Sequence, residues 1–168
     1  MAEIIKVYKQ SVGATRFIGK KYGNADRVDG DFGAKWGEWH ENDWFNMLKQ
    51  SFDGNISEAI EDYGSHIGLM REDESGQFEY WIGLFMPAGA AVPEGFASID
   101  FPAGNLGVCW IYGKEEEVFM LEGKCGERLE KEGFAFSSDW CFERYNCPRF
   151  TTPDEKGNII IDICFYVK

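Results

Sequence analysis

The sequence predicts an α+β fold of two repeated strand-helix-strand-strand modules, sharing an antiparallel sheet, carrying two main helices and related by a pseudo-twofold axis. Three observations lead there. Glycine and proline cut the chain into alternating strand-like and helix-like pieces, the order of those pieces recurs in the two halves, and each half holds one long stretch of helical spacing. The length of 168 residues fits one domain, and 44% hydrophobic residues can fill a core.

From the N-terminus, Ile4 to Val12 and Thr15 to Tyr22 read as strands, because β-branched and aromatic residues run up to Gly13 and resume after it. Gly23 to Lys35 is a polar, Gly- and Asp-rich loop. Trp36, Trp39, Phe45, Leu48 and Phe52 recur near helical spacing and predict an amphipathic helix from Trp36 to about Gln50, with a short helix following at Ile56 to Tyr63. Ser65 to Met70 and Phe78 to Phe85 are two strands around the polar turn Arg71-Glu72-Asp73-Glu74-Ser75-Gly76, a hairpin pattern. Phe96 to Phe101 and Leu106 to Tyr112 are strands separated by Pro102-Ala103-Gly104. Glu115 to Glu132 is a helix with Glu115, Glu116 and Glu117 in its first turn, where the dipole favours acids, and Gly133 ends it. Cys141 to Tyr145 and Ile159 to Val167 form the last hairpin, with Thr151 to Asn158 in its loop.

The recurrence can be aligned. Phe17 to Gly23 matches Gly107 to Gly113 at an offset of 90, and Tyr80 to Phe85 matches Ile161 to Tyr166 at an offset of 81. Shared element order carries this match more than shared letters. It divides a single domain, residues 1–168, into a first module of about 1–87, a linker at 88–92 and a second module of about 93–168. A seam between two such modules is a natural place for a ligand groove.

Composition narrows the function. Lys plus Arg number 17 and Asp plus Glu 29, a net charge of −12, which repels polyanions and disfavours direct nucleic-acid binding. The same field concentrates cations, so a small cationic ligand is the better match. With 14 Phe, 7 Tyr and 6 Trp, the aromatics exceed what an ordinary core requires and suit a pocket for flat molecules. No apolar run approaches the ~20 residues of a membrane span, and no basic-then-apolar leader opens the chain, so a cytoplasmic, non-membrane protein is expected. The five cysteines, Cys109, Cys125, Cys141, Cys147 and Cys164, lack a Cys-x-x-Cys pair and read as packed thiols; no metal and no cofactor is called for. Asp31-Phe32-Gly33 copies a kinase triplet without a nucleotide loop, and His40-Glu41 lacks the second His of a zinc-protease helix. Catalysis has no independent support.

Tyr80-Trp81-Ile82-Gly83, Val92-Pro93-Glu94-Gly95-Phe96, Phe101-Pro102-Ala103-Gly104, a strand ending in Gly113, a helix, Glu132-Gly133-Phe134, Phe142-Glu143-Arg144-Tyr145 and Ile163-Cys164-Phe165-Tyr166-Val167 follow one another over essentially the whole chain. In this order they resemble the GyrI-like family, the effector-binding domains of AraC- and MerR-type multidrug regulators, which also occur alone, as in integron-cassette proteins. The resemblance is to the stand-alone branch, since the first strand starts at residue 4 with no DNA-binding helices ahead of it. It implies two repeated modules around an apolar, aromatic pocket whose buried glutamate attracts organic cations. That glutamate falls on Glu143. The resemblance also keeps open a hydrolase of reactive cyclopropane-bearing aromatic compounds, with Glu143 as base or electrostatic stabiliser, and a protein-binding modulator of the gyrase-inhibitor kind.

Strand alternation puts Cys141, Glu143 and Tyr145 on one face and Phe142 and Arg144 on the other. Tyr145 is placed to hydrogen-bond Glu143 or to offer a ring. The internal repeat equates the strand of Glu143 with that of His66, within a residue or two, so His66 is a further candidate. Trp36 and Trp39, one turn apart on the first helix, Phe119 on the second, and Tyr80 and Trp110 on inner strands complete the set of candidate ligand-binding residues; each taken singly also fits an ordinary core position.

Overall fold

The computed structural model describes residues 1–52, 64–145 and 148–168. The expected short helix at Ile56 to Tyr63 and the thiol Cys147 lie outside them. The class is α+β, with eight antiparallel strands and short helices. The strands are β1 (Glu3–Val12), β2 (Thr15–Gly23), β3 (His66–Glu72), β4 (Phe78–Pro87), β5 (Ala97–Phe101), β6 (Gly104–Gly113), β7 (Phe136–Tyr145) and β8 (Ile159–Val167). The helices are α1 (Gly33–Glu41), α2 (Trp44–Ser51), α3 (Glu115–Val118) and α4 (Glu122–Lys131).

The chain forms two compact units, residues 14–102 and residues 1–13 with 103–168. These differ from the halves drawn from the sequence. β1 pairs with β6, a strand of the second half, and β5 pairs with β2, a strand of the first. The chain thus passes from one unit to the other at Gly13–Ala14 and again at Pro102–Ala103. Strand partnership is a non-local property, and the order of elements along the chain does not encode it.

In the unit of residues 14–102 the strand order is β3-β4-β2-β5. Ile18 and Tyr22 of β2 and Tyr80, Ile82, Leu84 and Met86 of β4 pack against Trp39, Phe45 and Leu48 of α1 and α2. Gly19 and Gly83 stand opposite one another between β2 and β4, and a Cβ on either would collide with the neighbouring strand's carbonyl, so only glycine permits this approach. The single helix expected from Trp36 to Gln50 is two. Asp43 adopts φ 55, a left-handed conformation that Asp tolerates and a helix interior does not, and the chain turns there between α1 and α2. The hairpin turn between β3 and β4 is as expected, held by Asp73, whose Oδ1 accepts from the Ser75 and Gln77 backbone N–H groups, both at 2.9 Å.

In the other unit the order is β1-β6-β8-β7. Cys109 and Ile111 of β6 and Ile159, Ile161 and Ile163 of β8 form its core with Val118 of α3 and Cys125 of α4. The helix expected over Glu115 to Glu132 is interrupted by one 3-10 turn, Phe119–Leu121, between α3 and α4. It ends as anticipated: Gly133 has φ 89, and the N–H groups of Gly133 and Phe134 return to the carbonyls of Glu130 and Leu129.

The ladders correct the repeat alignment. Gly83 opposes Gly19, and Cys164 opposes Val108. The offset of 81 (164 − 83) therefore holds for β4 and β8, while β2 and β6 match at 89 (108 − 19), one residue from the expected 90. Ile67 pairs with Gly83 and Phe142 with Cys164, an offset of 75 (142 − 67) for β3 and β7. Gly68 is then the counterpart of Glu143, and His66 that of Cys141.

Candidate functional site

β7 carries Cys141, Glu143 and Tyr145 toward the helical side of its unit, where Tyr145 packs on the Cys109–Ile163 core. Phe142 and Arg144 alternate to the opposite face. Glu143 is only 7% exposed. The Tyr145 hydroxyl donates to its Oε2 at 2.6 Å, a short, charge-assisted bond that holds the carboxylate in place. Across from β7 stands Glu122, the first residue of α4, which shares a hydrogen bond with Glu143. Burial, then the Glu143 charge, then that shared hydrogen bond push the Glu122 carboxyl up to about 9. The Glu122 carboxyl therefore stays protonated at neutral pH. Glu122 Oε1 is buried and accepts no hydrogen bond from a donor among the described residues.

Around the pair the walls are aromatic and thiol. The Phe119 ring lies 6.3 Å from that of Tyr145, and Phe150 meets Tyr145 edge-on at 4.8 Å. Burial, reinforced by the charges of Glu122 and Glu143, pushes the Cys141 thiol up to about 12, so it stays protonated. Glu122, Cys141 and Tyr145 are each partly exposed and Phe119 is exposed, while Glu143 itself is buried. A deprotonated carboxylate in such surroundings attracts a positive charge that sheds water cheaply, and ring faces reinforce the attraction.

Four of the other candidates, Trp36, Trp39, His66 and Tyr80, belong to the unit of residues 14–102. In the unit of residues 14–102, the indole N–H of Trp36 donates to the Tyr80 hydroxyl at 3.0 Å, and Tyr80 stacks on Phe32 with centroids 4.3 Å apart. Trp39 is completely buried and donates to the Tyr22 hydroxyl at 3.0 Å. His66 stacks flat on Phe45 at 3.7 Å. Burial, with Lys49 and His40 nearby, lowers His66 to about 4, so it is neutral at pH 7. The indole N–H groups of Trp36 and Trp39 are thus each satisfied by a tyrosine hydroxyl. Trp110 is in the unit of Glu143 but points from β6 to the opposite face, beside Tyr8, with the Lys6 ammonium 4.6 Å and the Arg149 guanidinium 4.7 Å from its ring. On that face Asp162, fully buried, accepts from Arg144 at 2.9 Å and Arg149 at 2.7 Å. Within the unit of residues 1–13 and 103–168, then, Glu143, Tyr145 and Phe119 come together.

Glu122 is not among those candidates, yet the sequence carries a signal for it. Val118, Glu122, Cys125 and Leu129 recur at i, i+4, i+7 and i+11, so the glutamate interrupts an apolar helical stripe. Among the described residues no group of His, Cys, Asp and Glu could hold a metal ion, and no helix is long and apolar enough to cross a membrane.

No family model matches the chain, and no curated protein does. Solved structures do. SAV2435 bound to tetraphenylphosphonium aligns at a TM-score of 0.70 with 15% identity, over 98% of this chain and 94% of that one. The C-terminal domain of EcmrR aligns at 0.62 with 9% identity, over 97% of each chain. An integron cassette protein from the mobile metagenome of Vibrio cholerae aligns at 0.55 with 12% identity, over 99% of each. At such identities the likeness is one of fold, and the fold is the GyrI-like one.

Proposed function

We propose that this protein is a small-molecule binding domain for organic cations, of the kind that serves transcription regulators as an effector-binding domain, with Glu143 as the charge that selects its ligand. The observation that carries this reading is the buried carboxyl pair of Glu143 and Glu122, walled by Tyr145, Phe119 and Phe150. Two carboxyls in apolar company are unfavourable for folding alone, and a lipophilic cation is the partner that offsets their desolvation. The fold shared with a protein that binds tetraphenylphosphonium supports the same ligand class. The net charge of −12 draws such molecules in.

The pair favours one second reading. A protonated Glu122 beside a charged Glu143 is an acid next to a base, the arrangement that hydrolysis of a strained electrophile requires. Product formation from a cyclopropane-bearing aromatic compound, lost in Glu143→Gln, separates this reading from simple binding.

The binding reading is tested by titrating a cationic aromatic dye and a neutral dye of equal size against the wild type and Glu143→Gln. The substitution keeps shape and removes charge. It should weaken the cation by roughly 2–5 kcal/mol, the range for truncating a buried charge pair, and change the neutral dye by less than about 1 kcal/mol. Equal losses for both dyes would sink it.

A further inference from the structure

The unit of residues 14–102 holds a cation of its own among aromatic rings. Asp43 turns the chain so that Trp44 opens α2, and Gly95, at φ 88, turns it into Phe96 ahead of β5. Lys20 of β2 places its ammonium over both rings, 4.4 Å from the Trp44 centroid and 4.7 Å from that of Phe96. The two rings stand at 88° to one another with centroids 6.4 Å apart, and the completely buried Trp39 packs edge-on against both, at 5.5 Å from Trp44 and 5.8 Å from Phe96. Ring faces gathered in this way around one positive charge are the means by which methylated ammonium groups are recognised. Apart from the rings, the Lys20 ammonium has one partner among the described residues, the Gly95 carbonyl, which accepts from it at 2.9 Å; no carboxylate among them is paired with it.

We infer that Trp44, Phe96 and Trp39 form a second cation site, for ligands bearing a trimethylammonium group, and that Lys20 is its internal occupant, which such a ligand displaces. This inference is independent of cation binding at Glu143. Lys20 fits the rings less well than a quaternary ammonium does. Its ammonium carries three N–H donors and the site supplies one carbonyl, so the others must stay in water, whereas a trimethylammonium group has no donor to satisfy and exchanges its weakly held hydration for ring faces. What holds the lysine is a cation–π contact at a partly exposed position and one hydrogen bond, each a modest contribution where water competes. Lys20, Trp44 and Phe96 are all partly exposed, so a ligand reaches the rings without opening the core. Asp plus Glu outnumber Lys plus Arg by 16 to 7 over residues 14–102, so the field of this unit draws cations toward it. Lys20 thereby sets the affinity: a ligand binds only the fraction of molecules in which the lysine has swung out.

The test is an NMR titration of the whole protein with tetramethylammonium chloride, with sodium chloride at equal ionic strength as the control. In the free wild type the Lys20 Cε protons, lying over two rings, should resonate upfield of an ordinary lysine. Tetramethylammonium should return them toward the ordinary position while the Trp44 and Phe96 ring signals move with the same midpoint. Lys20→Ala, which empties the site, should bind at the same rings about tenfold more tightly, and Trp44→Ala should weaken the response of the Phe96 signals by at least about tenfold. Lys20 signals that stay upfield throughout the wild-type titration overturn the inference, and this result needs no variant to fold. A Lys20→Ala affinity no better than that of the wild type also overturns it. Changes confined to the Tyr145 and Phe119 signals would place tetramethylammonium at Glu143 alone, overturning the second site and leaving the first standing.

Discussion

The two units build the same four-stranded frame and fill its helical side with opposite chemistry. At β3 and its counterpart β7, Gly68 and His66 stand where Glu143 and Cys141 stand. In residues 14–102 the space is filled by rings: Trp36 donates to Tyr80, Trp39 donates to Tyr22, and His66 stacks on Phe45. In the other unit a glutamate replaces the glycine, and a second glutamate interrupts the apolar face of α4 and shares a hydrogen bond with the first. Register and topology set where a strand residue points; the chemistry of the residue placed there sets whether it is satisfied from within.

This contrast can be broken at its aromatic half first. Trp39 is completely buried among Phe45, Trp44 and Phe96, so Trp39→Ala should cost about 3–5 kcal/mol in denaturant unfolding, as large-to-small changes of buried aromatics do. A loss below about 1 kcal/mol would mean these rings form no rigid core. The next effect is on pH dependence at the acidic half. Because folding raises Glu122 toward 9, the folded chain holds a proton that the unfolded chain releases above the ordinary glutamate range, and stability falls as pH rises through that window. Glu122→Gln should remove this slope, gaining about 2–3 kcal/mol over the wild type between pH 5 and pH 8, in proportion to roughly 1.4 kcal/mol per unit at most. Parallel pH profiles for variant and wild type would contradict the shared proton.

The smallest effect is the reverse one, at His66. Folding lowers His66 to about 4, so the unfolded chain binds a proton that the folded chain refuses, and stability falls as pH drops from the ordinary histidine range to about 4. His66→Phe keeps the stack on Phe45 and should spare the protein about 1–2 kcal/mol of the loss between pH 7 and pH 5. An unchanged acid limb would show that His66 is not held neutral.

Much of this architecture is legible in the amino-acid sequence. β-branched and aromatic runs bounded by glycine and proline locate the strands, though β7 begins at Phe136, five residues before the expected Cys141, and Gly133 ends the second helix where its positive φ permits. Two kinds of feature are not legible there. Local backbone events, the left-handed Asp43 between α1 and α2 and the 3-10 turn at Phe119–Leu121, leave the apolar period nearly intact and so do not register in it. Non-local events, the pairing of β1 with β6 and of β5 with β2, have no sequence period at all. For the site, motif order points to Glu143 and strand alternation to Tyr145. Glu122 is readable only as an acid on an apolar stripe, and its meaning needs the partner 21 residues away in β7 (143 − 122).

The central claim is that Glu143 is where an organic cation is held. A crystal structure of the protein soaked with 1-naphthylmethylammonium tests it directly. The account predicts the ammonium nitrogen within about 4 Å of a Glu143 carboxylate oxygen, with the naphthyl ring against Phe119 or Tyr145. A ligand seated among Trp36, Trp39 and Tyr80, or bound with its nitrogen away from both glutamates, would contradict it.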